Sequence, residues 1–216
     1  MVRWEFRSKP FKYETVIDEI CRLGWTKLTK DNLVDVAWAY YHFSIQFREN
    51  LKIACTLYPN DMKLKRLKRE ECNTDNLSPW PGVANDGEKI NHDEFMRRLL
   101  KLSPIDHSRR RRLEAIGHSY LCNIRELDVR VRASSIASYE DRGLERVFRA
   151  ILVSRNWDGP LLEAFRHFLM EHIRFDNDPK KGHGALSRHL RLDDQILPLW
   201  IAFKYILIES APSLII

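Results

Sequence analysis

The chain has 216 residues, of which 44% are hydrophobic and 11% aromatic, with a formal net charge of +6. That length fits one large domain with a sizeable core, and that composition excludes an intrinsically disordered chain. The basic balance permits an acidic partner without requiring one.

In chain order the sequence predicts helix almost throughout. The first ten residues carry Arg3, Glu5, Arg7 and Lys9, so they do not resemble a signal peptide. An amphipathic helix is expected from Phe11 to Leu23, stopped by Gly24, and a long one from about Asn32 to Leu57, capped by Thr29 or Asp31. A short helix follows from Asp61 to about Cys72. Pro79, Pro81, Gly82 and Gly87 make the stretch from Asn73 to Lys89 irregular. Helix resumes from Asn91 to Leu102, then from Asp106 to about Cys122, then from Arg125 to Ser154 in one piece. Asp158-Gly159-Pro160 opens the next helix, which a loop from Asn177 to Gly182 breaks, because Pro179 lacks an amide donor and Gly182 frays helices. The last long helix starts near Asp193. Its apolar run from Ile196 to Ile208 is too short to span a bilayer, and Lys204 interrupts it, so it reads as a buried helix rather than a membrane segment. Val, Ile and Thr alternation is scarce, so the expected class is all-α in a single domain over 1–216. Cys21, Cys55, Cys72 and Cys122 form no CxxC pair and no zinc spacing, which reads most simply as reduced thiols in a cytoplasm.

Polar residues interrupt several apolar stripes. His172 falls three, four and seven residues after Leu169, Phe168 and Phe165, and Asp176 follows one turn later. Glu140 sits between Ile136 and Leu144 in a stripe that also holds Ala133, Ala137, Val147 and Ile151. His92 shares a face with Phe95, Met96, Leu99 and Leu100. Glu71 continues the stripe of Leu64 and Leu67, with Glu70 as the competing choice, and His183 precedes Leu186 and Leu190 by three and seven. One such residue is usually a hydrogen-bonded core histidine or an arginine's partner. Three carboxylates and three imidazoles together are a donor set that suits iron or manganese in a helical bundle.

The ordered pattern Glu71, His92, Glu140, His172-x3-Asp176 and His183 resembles the heme-oxygenase-like diiron oxidases and oxygenases, the iron-containing redox enzyme family. The resemblance rests on Asn91-His92-Asp93-Glu94-Phe95, on Ala137-Ser138-Tyr139-Glu140, and on His172-Ile173-Arg174-Phe175-Asp176 with His183-Gly184. It covers roughly residues 30–210. It implies a heme-oxygenase-like bundle of about seven helices and two irons held by Glu71, His92, Glu140, His172, Asp176 and His183, with manganese the alternative metal. It implies a dioxygen-activating oxidase or oxygenase acting on a small organic substrate. The gap from Asp176 to His183 and that from Glu71 to His92 are both longer than the family's, which weakens the second metal position. Tyr139, Arg188 and His189 are candidates for orienting the ligands.

Two rival readings accompany this one. A metal-free helical binding or scaffold protein would use the same fold, and a thiaminase-like hydrolase would need a cavity cysteine, Cys72 or Cys122, for which no base stands at helical spacing. Haem is disfavoured because no histidine precedes His42. Arg109-Arg110-Arg111-Arg112 reads as a solvated helix start rather than a nucleic-acid site, since no aromatics interleave it. Trp80, between two prolines, reads as a loop pinned by its own ring, with a substrate entrance as the alternative. A homodimer is compatible with the sequence.

Overall fold

The computed structural model describes residues 12–73, 79–176, 183–190 and 194–215; the side chains at 72, 73, 175 and 176 lie outside the description. The helices are α1 (Lys12–Cys21), α2 (Lys30–Leu57), α3 (Met62–Asn73), α4 (His92–Leu99), α5 (His107–Arg125), α6 (Val129–Ser138), α7 (Leu144–Leu152), α8 (Pro160–Asp176), α9 (His183–Ser187) and α10 (Leu197–Ser210). Among the described residues there is no strand, only an isolated bridge between Trp80 and Ala84. The all-α expectation is met. No described helix is long and apolar enough to cross a membrane.

The central element is α2, which packs against α3, α4, α5, α6, α8 and α10. It is buried on most of its faces, as a helix surrounded by others must be. Thr29, not Asp31, starts it. The Thr29 hydroxyl accepts from the Asn32 amide at 3.2 Å, and the Asn32 side chain accepts from the Thr29 amide at 3.2 Å. Asp31 is spent elsewhere, because Arg109 bridges Asp31 and Asp35 at 3.0 and 2.8 Å, and Arg112 reaches Asp35 at 3.0 Å. Arg110 pairs with Glu114 at 2.8 Å. Most of the arginine run therefore fastens α5, to α2 and to itself. A second polar seam joins α2 to α5 and α6: Arg132 donates to Asn50 at 2.9 Å, Tyr120 to Gln46 at 2.9 Å, and Glu49 meets Arg125 at 2.6 Å.

Three expectations need correction. First, the helix expected from Arg125 to Ser154 is divided. Asp128 caps α6, and the backbone breaks at Tyr139–Gly143, a π-type turn in which Arg142 has φ 75°. Gly143 makes the turn: a Cβ there would lie 2.1 Å from the Ser138 carbonyl oxygen and 2.8 Å from the Trp200 ring. Second, the Ile196–Ile208 run is not buried on all sides. Leu199, Trp200, Phe203, Ile206 and Leu207 face the core, but Ile201 and Tyr205 are exposed. They stand about one turn apart on α10. Third, a base does stand at helical spacing from Cys122, since its sulfur lies 3.5 Å from His118 Nε2. That pair is exposed on α5, away from the cavity described next. Cys21 and Cys55 are partly buried against the core, and the Cys72 side chain lies outside the described residues.

Candidate metal centre

The stripes interrupted by carboxylate and imidazole converge at one cavity between α2, α3, α4, α8 and the 139–143 turn. Its walls include Glu71, His92, Glu140 and His172 together with Tyr40, Ser44, Phe47, Arg48, Asp93 and Leu144. The free volume is about 20 Å³. A single water needs about 10–15 Å³ on the same scale, so the space suits ions and waters rather than an organic molecule.

Irregular backbone places most of the donors. Glu71 lies near the end of α3, His92 is the first residue of α4, Glu140 is in the π-type turn and His183 is the first residue of α9. Only His172 lies well inside a helix. A helix end or kink turns a side chain out of the stripe and lets several helices direct groups to one level. Backbone expansions of this kind gather at functional sites.

Glu71 is the hub. Its Oε2 lies 2.6 Å from His92 Nδ1, and its Oε1 lies 2.8 Å from His183 Nδ1. His183 Nδ1 is also 3.0 Å from Glu140 Oε2, and His172 Nε2 is 3.2 Å from His92 Nδ1. Two triads result, Glu71–His92–His172 and Glu71–Glu140–His183, and in each the donor atoms lie within 4.8 Å of one another. All five residues are buried. Glu71 rather than Glu70 therefore occupies the shared position. Glu70 pairs with Arg66 at 2.7 Å and faces the far nitrogen of His183 at 3.6 Å. Asp176 ends α8, and its side chain lies outside the described residues.

Neighbours set the ring states. His172 Nδ1 lies 2.8 Å from the Phe168 carbonyl, to which it donates, leaving the Nε2 lone pair directed into the cavity. Burial, reinforced by His92, pushes the His172 pKa down to about 3, so the ring stays neutral and ready to coordinate. Burial also works against a proton on His183, but Glu71 and Glu140 outweigh it and hold that pKa well above the usual value. Burial would raise Glu71, yet His92 and His183 together take its carboxyl well below the ordinary range. Glu140 goes the other way. Burial pushes it up and Glu71 adds to the push, with His183 only partly opposing. Two buried carboxylates thus flank one imidazole, and the donors are the oxygen and nitrogen ligands that divalent first-row metals accept.

Aromatic rings enclose the cluster. Phe168 packs on His172 at 4.2 Å and on His92 at 5.8 Å, Phe148 lies 5.7 Å from His172, and Tyr40 meets Phe148 and Phe168 at 5.4 and 5.5 Å. The side that carries His183 is held differently. Gly184 packs on the kinked backbone, where a Cβ would lie 3.0 Å from the Glu140 carbonyl oxygen. Arg188 then grips Asp141 with bonds of 2.8 and 3.0 Å.

The three candidate orienting residues do other work. Arg188 holds Asp141, and His189 pairs with Asp61 at the start of α3. Tyr139 is fully buried against Phe43 and Trp200. The sequence reading missed the Phe168 carbonyl and the second role of Glu70. The spacing of four between Phe168 and His172 was visible and, on a helix, places that carbonyl under the ring. His42 is tied to the Trp38 carbonyl at 2.9 Å and sits beneath Gly117. Trp80 stacks on His167 at 4.7 Å and lines an outer groove with Trp157 and Met170, not the cavity.

No family model matches the chain, and neither curated proteins nor solved structures give a match. The chemistry of the cluster therefore carries the functional reading.

Proposed function

We propose that the Glu71 cluster binds two divalent metal ions, with iron the favoured metal, and that the protein is a non-haem oxidase or oxygenase acting on a small organic substrate with dioxygen. One observation carries the reading: Glu71 belongs to both triads and directs a different oxygen to each. Glu71 would therefore help to hold an ion with His92 and His172, and another with Glu140 and His183. Two imidazoles and one carboxylate, the set formed by Glu71, His92 and His172, are the ligands of non-haem Fe(II) sites that keep positions open. The Glu71–Glu140–His183 set is richer in carboxylate and suits a second ion. Bound iron would supply the site for dioxygen reduction.

The chain's own residues do the rest. His172 presents a fixed lone pair, and the Phe148, Phe168 and Tyr40 rings keep bulk water from the imidazoles. Glu70 faces the back of the His183 ring, as carboxylates do behind many ligating histidines. The resemblance to heme-oxygenase-like diiron enzymes supports the same assignment.

The test is anaerobic titration of Fe(II) into metal-free protein, followed by exposure to dioxygen. Two ions per chain and an absorption change that depends on dioxygen are expected. Glu140→Ala and His172→Ala should each lose iron while remaining helical. Equal iron content in wild type and both variants would sink the proposal and leave a buried ion cluster closed by the His183 proton.

A further inference from the structure

A second, larger cavity lies apart from the Glu71 cluster, between α2, the end of α4, the start of α5 and the connection that joins them. Its free volume is about 340 Å³, already formed without any movement of the chain. Small-molecule sites occupy roughly 300–1,000 Å³, so this one takes a ligand of one or two rings. No wall residue is shared with the metal cavity. Such sites are mostly apolar with a few placed polar groups, and this one divides in that way. Trp38 and Tyr41 of α2 supply the aromatic part, beside Leu100, Pro104 and Ile105. Arg97, Lys101, Arg110 and Glu114 supply the charges.

The aromatic part has a shape. The Trp38 and Tyr41 rings stand at right angles with centroids 6.4 Å apart. A flat ring stacked on one of them lies at right angles to the other, and both arrangements are favourable between aromatic rings. A saturated ring gains burial alone. The charged part has a sign, since three cations stand against one carboxylate. Glu114 is already engaged by Arg110 Nε at 2.8 Å, which leaves both terminal nitrogens of Arg110 unused. Arg97 spends Nε and Nη2 on Glu94, each at 2.6 Å, and keeps Nη1. Among the described residues Lys101 makes no ion pair, and the Tyr41 hydroxyl makes no hydrogen bond. The unused side-chain groups are therefore mostly donors, and an ammonium ligand would find only a carboxylate that an arginine already holds.

We infer that this cavity is a binding site for an aromatic anion, with its rings in the Trp38–Tyr41 corner and its carboxylate or phosphate toward Lys101, Arg97 and Arg110. The site is separate from the metal centre, and the inference does not rest on the metal reading.

The experiment uses the full chain and naphthoate, whose two fused rings carry one negative charge. Calorimetry at low salt compares it with naphthamide, naphthylmethylammonium and decahydronaphthoate. An exposed ion pair changes affinity by about 1.5- to fivefold, so three cations should favour naphthoate over the amide by at least about threefold. The ammonium should bind most weakly. Stacking should favour naphthoate over its saturated counterpart by at least about twofold. High salt should shrink the preference over the amide, because exposed charges are screened. Lys101→Glu should abolish that preference, and Tyr41→Leu should abolish the preference over decahydronaphthoate. Circular dichroism checks that both fold; Lys101 is exposed, so its variant leaves the core untouched. Naphthyl phosphate, run beside naphthoate, identifies the head group, and tighter binding by either supports the site. Absence of binding at millimolar naphthoate, equal binding of the amide or the saturated acid, or unchanged preference in folded Lys101→Glu would each overturn the inference. Titrations with and without anaerobic Fe(II) should agree. Binding that required iron would place the anion on the Glu71 cluster and overturn the second site, whereas binding in a protein that takes up no iron would leave the site standing and defeat only the metal reading.

Discussion

Glu71→Gln is the sharpest perturbation of the cluster, because it keeps shape and removes one charge. In the metal-free protein Glu71 meets His92 at 2.6 Å and the protonated His183 at 2.8 Å. Breaking a buried ion pair costs about 3–5 kcal/mol, and the lower end applies because Glu140 remains 3.0 Å from the same nitrogen. In a domain of this size 1 kcal/mol moves the midpoint by about 2–4 °C, so a fall of roughly 6–12 °C is expected. The assay is a calorimetric melt of chelator-treated protein near neutral pH. With metal the effect should be larger, since both positions depend on Glu71. The variant should bind neither ion, whereas His172→Ala and His183→Ala should each lose one. If Glu71→Gln retained one ion at wild-type affinity, Glu71 would not serve both positions. An unchanged metal-free midpoint would show that the Glu71 charge is not the partner of His183.

The folded His172 resists a proton down to a pKa of about 3 while its ordinary value is 6.5, so the unfolded chain binds that proton first and stability should fall as pH drops below about 6.5. The Glu71 contribution disappears lower still, as pH falls through its depressed pKa, whereas that of His183 is complete below about 6.5 and is lost as pH rises through its elevated pKa. Urea melts of metal-free protein across pH should therefore show falls on both sides, and a flat acid limb would contradict the His172 assignment. Affinity for the ion at His183 should rise with pH more steeply than affinity for the ion at His172, because the His183 pKa is raised and coordination displaces its proton, whereas that of His172 is lowered; parallel slopes in titrations at several pH values would count against it. Gly184→Ala places a Cβ 3.0 Å from the Glu140 carbonyl oxygen, so α9 should shift and only the His183 ion should be lost, read as a drop from two ions to one. Gly117→Ala drives a Cβ to 2.2 Å from the His42 ring, where overpacking costs about 1–3 kcal/mol; the midpoint should fall while metal content stays at wild type.

The sequence by itself determined that the chain is helical, where most helices begin, and which polar residues lie on apolar faces. Helical spacing of Leu, Phe and Ile specifies a buried stripe, and Glu140 and His172 within such stripes are visible as exceptions. Caps are equally local: Thr29 with Asn32, and Asp106, satisfy amides two or three residues away. Only the tertiary structure decided how the exceptions meet. The break at Tyr139–Gly143 depends on Trp200, 57 residues further along the chain than Gly143, which it packs against. The choice of Glu71 over Glu70 turned on where α3 stands relative to His92 and His183, although both glutamates fit the stripe by spacing. The same holds for the single bond between Arg48 and Asp93, residues with no common pattern in sequence. Periodicity reports which side of a helix is buried because that is set within a few turns. It carries no information about the level at which separate helices direct their side chains, which is fixed by packing between distant segments.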